Sequence, residues 1–255
     1  MAGAALYVTI IALVYFRQES LIFHPVPLPA DFRFTLPGVS EEKVPVAGGE
    51  LSALHLRLAN PAGVVFFLHG NSGNLQSWFT SVDFYRRTNF DLFIIDYRGF
   101  GKSGGNIESE AQLHADVRAA WDRVAPQYAG KKRVIYGRSL GTGLAAKLAA
   151  DVQPDLTVLV SPYSSLQAMG DLRYPWLPQF INRYAMRTDL WLPNIRRQVM
   201  IAHGDRDSII PLEQGERLRQ VRAGIDFLLV PGAGHNDIHQ FPAYLEGLAE
   251  RLTKL

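Results

Sequence analysis

Gly137-Arg138-Ser139-Leu140-Gly141 decides how the rest of the chain is read. An apolar run, Arg133-Val134-Ile135-Tyr136, precedes it, and an Ala/Leu-rich stretch, Thr142 to Ala150, follows. That order reads as strand, tight turn, helix. A serine at such a corner is pushed out into a site. The flanking glycines remove Cβ atoms that would block the close approach of strand and helix. The helix that starts here also aims its positive dipole end at the serine. Five residues of this kind recur by chance, so the other segments must decide.

Outward from the corner, the same grammar repeats. Val64 to Leu68, Asp91 to Ile95, Thr157 to Val160, Val199 to Ala202 and Phe227 to Val230 are short apolar runs, the mark of strands buried on both faces. Lys43 to Val46 and Leu51 to Leu58 flank Gly48-Gly49 and read as a hairpin. Helical patterns lie between the runs, at Leu75 to Thr88, Ser109 to Ala125, Leu212 to Val221 and His239 to Leu252. Strands alternating with helices predict an α/β fold, a mostly parallel central sheet with helices on both faces. One stretch breaks the rhythm. Pro162 to Ile195 has no strand pattern and carries Tyr163, Tyr174, Trp176, Phe180, Tyr184 and Trp191. It is too long and too aromatic for a connector, and reads as a short helical cap.

The 255 residues, 47% hydrophobic and 20% charged, suit one large domain. A net charge of +2, with no basic run, does not suggest a nucleic-acid binder. The absence of cysteine excludes disulfides and thiolate chemistry. No metal-ligand spacing links His24, His55, His114 and His239, so neither metal nor cofactor is expected. Residues 1–17 open with an uncharged run, Met1 to Phe16, stopped by Arg17-Gln18-Glu19. It has neither the basic start nor the small-residue cleavage site of a signal peptide. The expectation is a retained single membrane anchor, with a cleaved or atypical signal and a buried structural helix as the alternatives. Arg17 and Arg33 follow it, which weakly favours a cytosolic domain. Residues 18–40, with four prolines, read as an extended connector to a domain over residues 41–255.

Serine needs a base, and the base an orienting carboxylate. Two loops after Ser139 supply candidates at strand ends: His203-Gly204-Asp205-Arg206-Asp207 and Gly234-His235-Asn236-Asp237. With His69-Gly70-Asn71-Ser72-Gly73-Asn74 and Asp96-Tyr97-Arg98-Gly99-Phe100-Gly101-Lys102-Ser103, these segments and the serine corner stand in the order of an α/β-hydrolase. The chain resembles the Bem46-like group of that superfamily, over most of Leu51 to Leu252. The resemblance implies Ser139 as nucleophile, His235 as base and Asp207 as the orienting acid, with Asp205 the alternative on the same loop. It implies an oxyanion hole from the backbone N–H groups of Asn71 and Leu140. His69, Asp96, Arg98 and His203 are expected to be structural, and Asp237 a helix cap. Tyr163, Tyr174, Trp176 and Phe180 are expected to meet the substrate. The reaction implied is hydrolysis of a carboxylic ester or thioester of a small or lipid-like acyl substrate, or of an acylated protein, through an acyl-enzyme. A serine peptidase or amidase with the same triad, and a non-catalytic binding protein on the same fold, are the alternatives.

Overall fold

The computed structural model describes every residue from Met1 to Leu255. Its elements run α1 (Ala2–Phe16), α2 (Gln18–Ile22), β1 (His24–Pro25), β2 (Val39–Val46), β3 (Gly49–Leu56), β4 (Gly63–Leu68) and β5 (Ser72–Gly73). Next come α3 (Leu75–Trp78), α4 (Val82–Thr88), β6 (Phe90–Ile95), α5 (Glu110–Val124), β7 (Lys132–Arg138), α6 (Gly141–Val152) and β8 (Leu156–Val160). The chain ends with α7 (Leu166–Arg173), α8 (Thr188–Trp191), β9 (Gln198–Gly204), α9 (Leu212–Gln220), β10 (Asp226–Val230) and α10 (Pro242–Thr253).

Eight strands form one sheet in the order β10-β9-β8-β7-β4-β6-β3-β2. Only β3 runs against the others. The period-two alternation of a strand explains the layers. On β4, Val64, Phe66 and Leu68 face a core shared with Leu113, Val117 and Trp121 of α5 and Leu144 and Leu148 of α6. Val65 and Phe67 face the opposite core, with Phe84 and Tyr85 of α4 and Tyr244, Leu248 and Leu252 of α10. Both faces are therefore dry, and each fully buried side chain of this size contributes about 1.5–3 kcal/mol. The strand order reverses between β7 and β4, and a crevice opens at such a point beyond the strand ends. The loops carrying Asn71 and Ser139 leave β4 and β7 there.

The structure bears on three expectations. No helix is long and apolar enough to cross a membrane. α1 has 15 residues, none of them buried. At ~1.5 Å per residue it spans about 22 Å, short of a ~30 Å hydrocarbon core. The chain then turns at Arg17, so α2 does not extend it.

Residues 18–40 are extended where the prolines stand, but they are bonded into the domain. β1 pairs in parallel with β5, His24 against Ser72 and Pro25 against Gly73. The Leu28 N–H donates to the Gly101 carbonyl at 2.8 Å. Gln18 donates to the Ile181 carbonyl and accepts from the Arg183 N–H at 2.9 Å. Glu19 pairs with Arg183 and accepts from the Tyr184 hydroxyl at 2.7 Å.

The helix expected over Leu75 to Thr88 is broken into α3 and α4. The Trp78 indole N–H donates to the Ser72 carbonyl at 2.7 Å, which turns its ring toward the crevice. The chain leaves the helix at Phe79, with ψ at 58°, and restarts after Ser81.

Candidate active site

Ser139 sits between β7 and α6 with φ at +53°, a left-handed conformation uncommon for a residue with a side chain. The surroundings enforce it. A Cβ on Gly137 would lie 2.4 Å from the Gly141 carbonyl oxygen, and one on Gly141 would lie 2.1 Å from the Leu68 carbonyl oxygen. Only glycines at these places let the strand, turn and helix close so tightly. A buried tyrosine braces the corner from behind: the Tyr163 hydroxyl donates to the Leu140 carbonyl at 3.0 Å. Burial holds that hydroxyl far above its ordinary pKa, so it stays a donor.

The Ser139 Oγ lies 2.9 Å from His235 Nε2, and His235 Nδ1 lies 2.8 Å from Asp207 Oδ2. The other Asp207 oxygen accepts the N–H groups of Ile209 and Ile210, at 3.0 and 2.8 Å. Burial works to raise the Asp207 carboxyl. The bond and charge at His235, with the Ile210 N–H, outweigh it and hold the group below the ordinary carboxylate range. Asp205 points elsewhere, accepting the Gly232 N–H at 2.7 Å from an exposed position. The geometry thus joins Asp207, not Asp205, to the imidazole.

The N–H groups of Asn71 and Leu140 donate to no backbone carbonyl, and both residues border the space in front of Ser139. The Asn71 loop is held from outside by the N-terminal arm. Its side-chain amide donates to the Ile22 carbonyl at 2.8 Å, and its carbonyl accepts the His24 N–H at 2.7 Å. His69 is buried beneath this loop, its Nδ1 on the Gly70 carbonyl at 2.7 Å and its ring stacked on Trp78. Asp96 accepts the Leu75 N–H at 3.2 Å, and Arg98 grips Asp116 through two bonds. His203 is also buried, donating from Nε2 to the Ile210 carbonyl at 2.9 Å. Burial and the Arg138 charge hold His239 below the ordinary imidazole value. Asp237 makes no helix-capping bond; it accepts the Gly234 N–H at 2.7 Å and shapes the His235 loop instead.

Ser139 and His235 open into a cavity of about 680 Å³. Leu166, Met169, Leu177 and Ile181 of the cap line it, with Val14 and Leu21 of the N-terminal arm. Tyr163, Tyr174 and Trp176 reach it; Phe180, 83% exposed, does not. Sequence patterns gave no sign of the arm's share in this wall, because its contacts join positions more than a hundred residues apart. They also passed over Arg138, whose guanidinium donates to the His235 carbonyl at 2.9 Å.

Residues 59–196 match the family described as serine aminopeptidase, S33. The chain belongs to this family of α/β-hydrolases. It is similar to α/β hydrolase domain-containing protein 17B of Xenopus tropicalis, 30% identical over 220 residues that cover 81% of this chain and 72% of the relative. The human protein of the same name matches to the same extent. Among solved structures, an esterase of Pyrococcus furiosus superposes with a TM-score of 0.69, covering 91% of this chain and 96% of that one at 19% identity. That likeness concerns the fold. This α/β-hydrolase thus carries its serine, histidine and aspartate in hydrogen-bond contact at the open edge of the sheet.

Proposed function

We propose that this α/β-hydrolase is a serine hydrolase that cleaves carboxylic esters or thioesters of lipid-like acyl chains, through an acyl-enzyme on Ser139. The observation that carries the reading is the unbroken relay Asp207–His235–Ser139 opening on a largely apolar cavity. Its chemistry follows from the distances. His235 Nε2 takes the Ser139 proton as Oγ attacks the carbonyl carbon. The Asn71 and Leu140 N–H groups, free of backbone partners, receive the developing oxyanion. Collapse of the tetrahedral species expels the alcohol or thiol, which takes its proton from His235. Water then attacks the acyl carbon as His235 takes its proton, and the Ser139 Oγ–acyl bond breaks as that proton returns to Oγ, releasing the acid.

The apolar cap and arm favour an acyl chain over a peptide as the group held in the cavity. The uncharged, exposed α1 and the half-exposed Tyr174 and Trp176 stand beside that opening, and they suit an enzyme that works at a lipid surface. A fluorophosphonate probe tests the chemistry. Wild type is expected to label and Ser139→Ala to remain unlabelled; a folded wild type that fails to label overturns the proposal. A series of p-nitrophenyl esters tests the substrate class, with kcat/KM expected to rise from acetate to octanoate. Activity confined to acetate and propionate would remove the lipid-like acyl group. Flotation with phosphatidylcholine vesicles tests the surface, with binding expected for wild type and lost in Leu6→Lys/Val8→Lys.

A further inference from the structure

Two arginines are buried in this protein, and they are treated differently. Arg98 is neutralised by a two-point pairing with Asp116. Arg138, 9% exposed, pairs with no carboxylate; its acceptors are the His235 carbonyl and His239 Nδ1, at 2.9 and 3.3 Å. Burying a cation against neutral acceptors alone is costly, so such groups normally have an anionic partner. The neighbouring His239 does not supply one, since a neutral imidazole carries no charge.

The position of this cation is specific. Its guanidinium lies over the Trp78 ring, 5.3 Å from the centroid, and the pair borders two adjoining spaces. On one side is the cavity in front of Ser139. On the other is a second cavity of about 480 Å³, under α4 and α10. Arg138, Trp78, Ser72 and Asn236 border both. No carboxylate lines the second cavity, whose wall holds the hydroxyl residues Thr80, Ser81 and Tyr85 as well as the arginine. Ser81 begins α4 yet its side chain makes no capping bond, which leaves its hydroxyl available. A fixed guanidinium and hydroxyl donors lining one cavity match a phosphate group, which offers several charged acceptors.

We propose that the second cavity is the subsite for a phosphate carried on the leaving group of the substrate, with Arg138 its recognising residue. The acyl chain then occupies the cap cavity, the scissile carbonyl lies at Ser139, and the phosphate-bearing alcohol extends past Trp78. This deepens the serine-hydrolase reading and rests on it. Arg138 has a second duty, holding the His235 carbonyl, so its removal lowers every activity to some degree. The ratio between two substrates separates the duties.

The test compares octanoylglycerol with octanoylglycerol 3-phosphate, below their micelle concentrations, in wild type, Arg138→Gln and Arg138→Lys. Wild type is expected to favour the phosphate ester in kcat/KM by about 10- to 100-fold, the scale of a charge-assisted bond. Arg138→Gln is expected to bring the ratio near one, and Arg138→Lys to keep part of it. Equal rates in wild type, or a parallel loss on both substrates in Arg138→Gln, overturns the subsite and leaves Arg138 as a positioning residue for His235. Turnover of p-nitrophenyl octanoate with neither glyceride accepted also overturns it, while the serine-hydrolase reading stands. Inorganic phosphate is expected to compete with the phosphate ester. Stimulation of octanoylglycerol hydrolysis by inorganic phosphate would make this an effector site and overturn the proposal.

Discussion

The floor and the roof of the cavity at Ser139 are built on different terms. The floor is a set of buried turns at the edge of a parallel sheet, where backbone and side chains leave no spare volume. Ser139 is fixed by glycines that admit no Cβ, and Asp207 is pinned by two N–H groups and an imidazole. The roof is the cap and the N-terminal arm, where α7 buries no residue and Phe180 and Trp176 stand in solvent. Phe23, Tyr184 and Met186 anchor its inner side in the core, and its outer part is held by scattered polar bonds, such as Gln18 to the Ile181 carbonyl and the Tyr7 hydroxyl to the Trp176 carbonyl at 2.9 Å. The contrast separates two tasks. Bond breaking needs atoms held to fractions of an ångström. Accepting a flexible chain needs apolar surface whose exact shape can yield.

The comparison can be broken by substitution. Ser139→Ala removes the proposed nucleophile and is expected to lower kcat by at least ~10⁴-fold with an unchanged melting temperature. A melting temperature that shifts by many degrees would mean that the floor is not independently rigid. Asp207→Asn keeps the shape but loses the charge that steadies the imidazolium. A fall of about 10³- to 10⁴-fold in kcat is expected, with KM little changed. Trp176→Ala with Tyr174→Ala alters only the roof. Here kcat/KM for octanoate should drop about 3- to 10-fold while acetate is untouched, as the loss of a partly buried apolar contact implies. An equal loss on both esters would erase the distinction between floor and roof.

The smallest effect is on stability against pH. Burial first of all holds His55, His203 and His239 below the ordinary imidazole value. The unfolded chain therefore binds more protons than the folded one as the medium acidifies. The stability these groups contribute is fully present above about pH 6.5, the unfolded imidazole pKa, and is lost as pH falls toward the depressed folded values. Asp207 adds a loss of the same sign lower down, beginning below about pH 4. Differential scanning calorimetry should show a melting temperature lower by several degrees at pH 5 than at pH 7.5. A higher melting temperature at pH 5 would contradict these assignments.

The sheet was legible because strands buried on both faces write themselves as unbroken apolar runs, as Val64 to Leu68 and Asp91 to Ile95 do. The glycines about Ser139 were legible because steric exclusion leaves no other residue type. Other features left no local trace. The helix from Leu75 to Thr88 has an adequate pattern, but the bond from Trp78 back to Ser72 overrides it. The arm's prolines announce extended chain, while its partners, Gly73 and Gly101, are set by register alone. Arg138 occupies a variable place in a short motif, and its value emerges only when the His235 loop arrives beside it. Phe180 shows the converse: aromatic character in the cap does not say which way a ring turns.

The bonds of the arm also carry a consequence for biosynthesis. Residues 2–28 leave the ribosome well before their partners at Asn71 to Gly73, Gly101 and Trp176 to Tyr184. Until Trp176 and Arg183 have been made, the exposed apolar α1 lacks the cap residues it docks on. Nascent chains with such a segment invite chaperones or premature association. The step that seals the roof over the serine is therefore among the last that the newborn molecule can take.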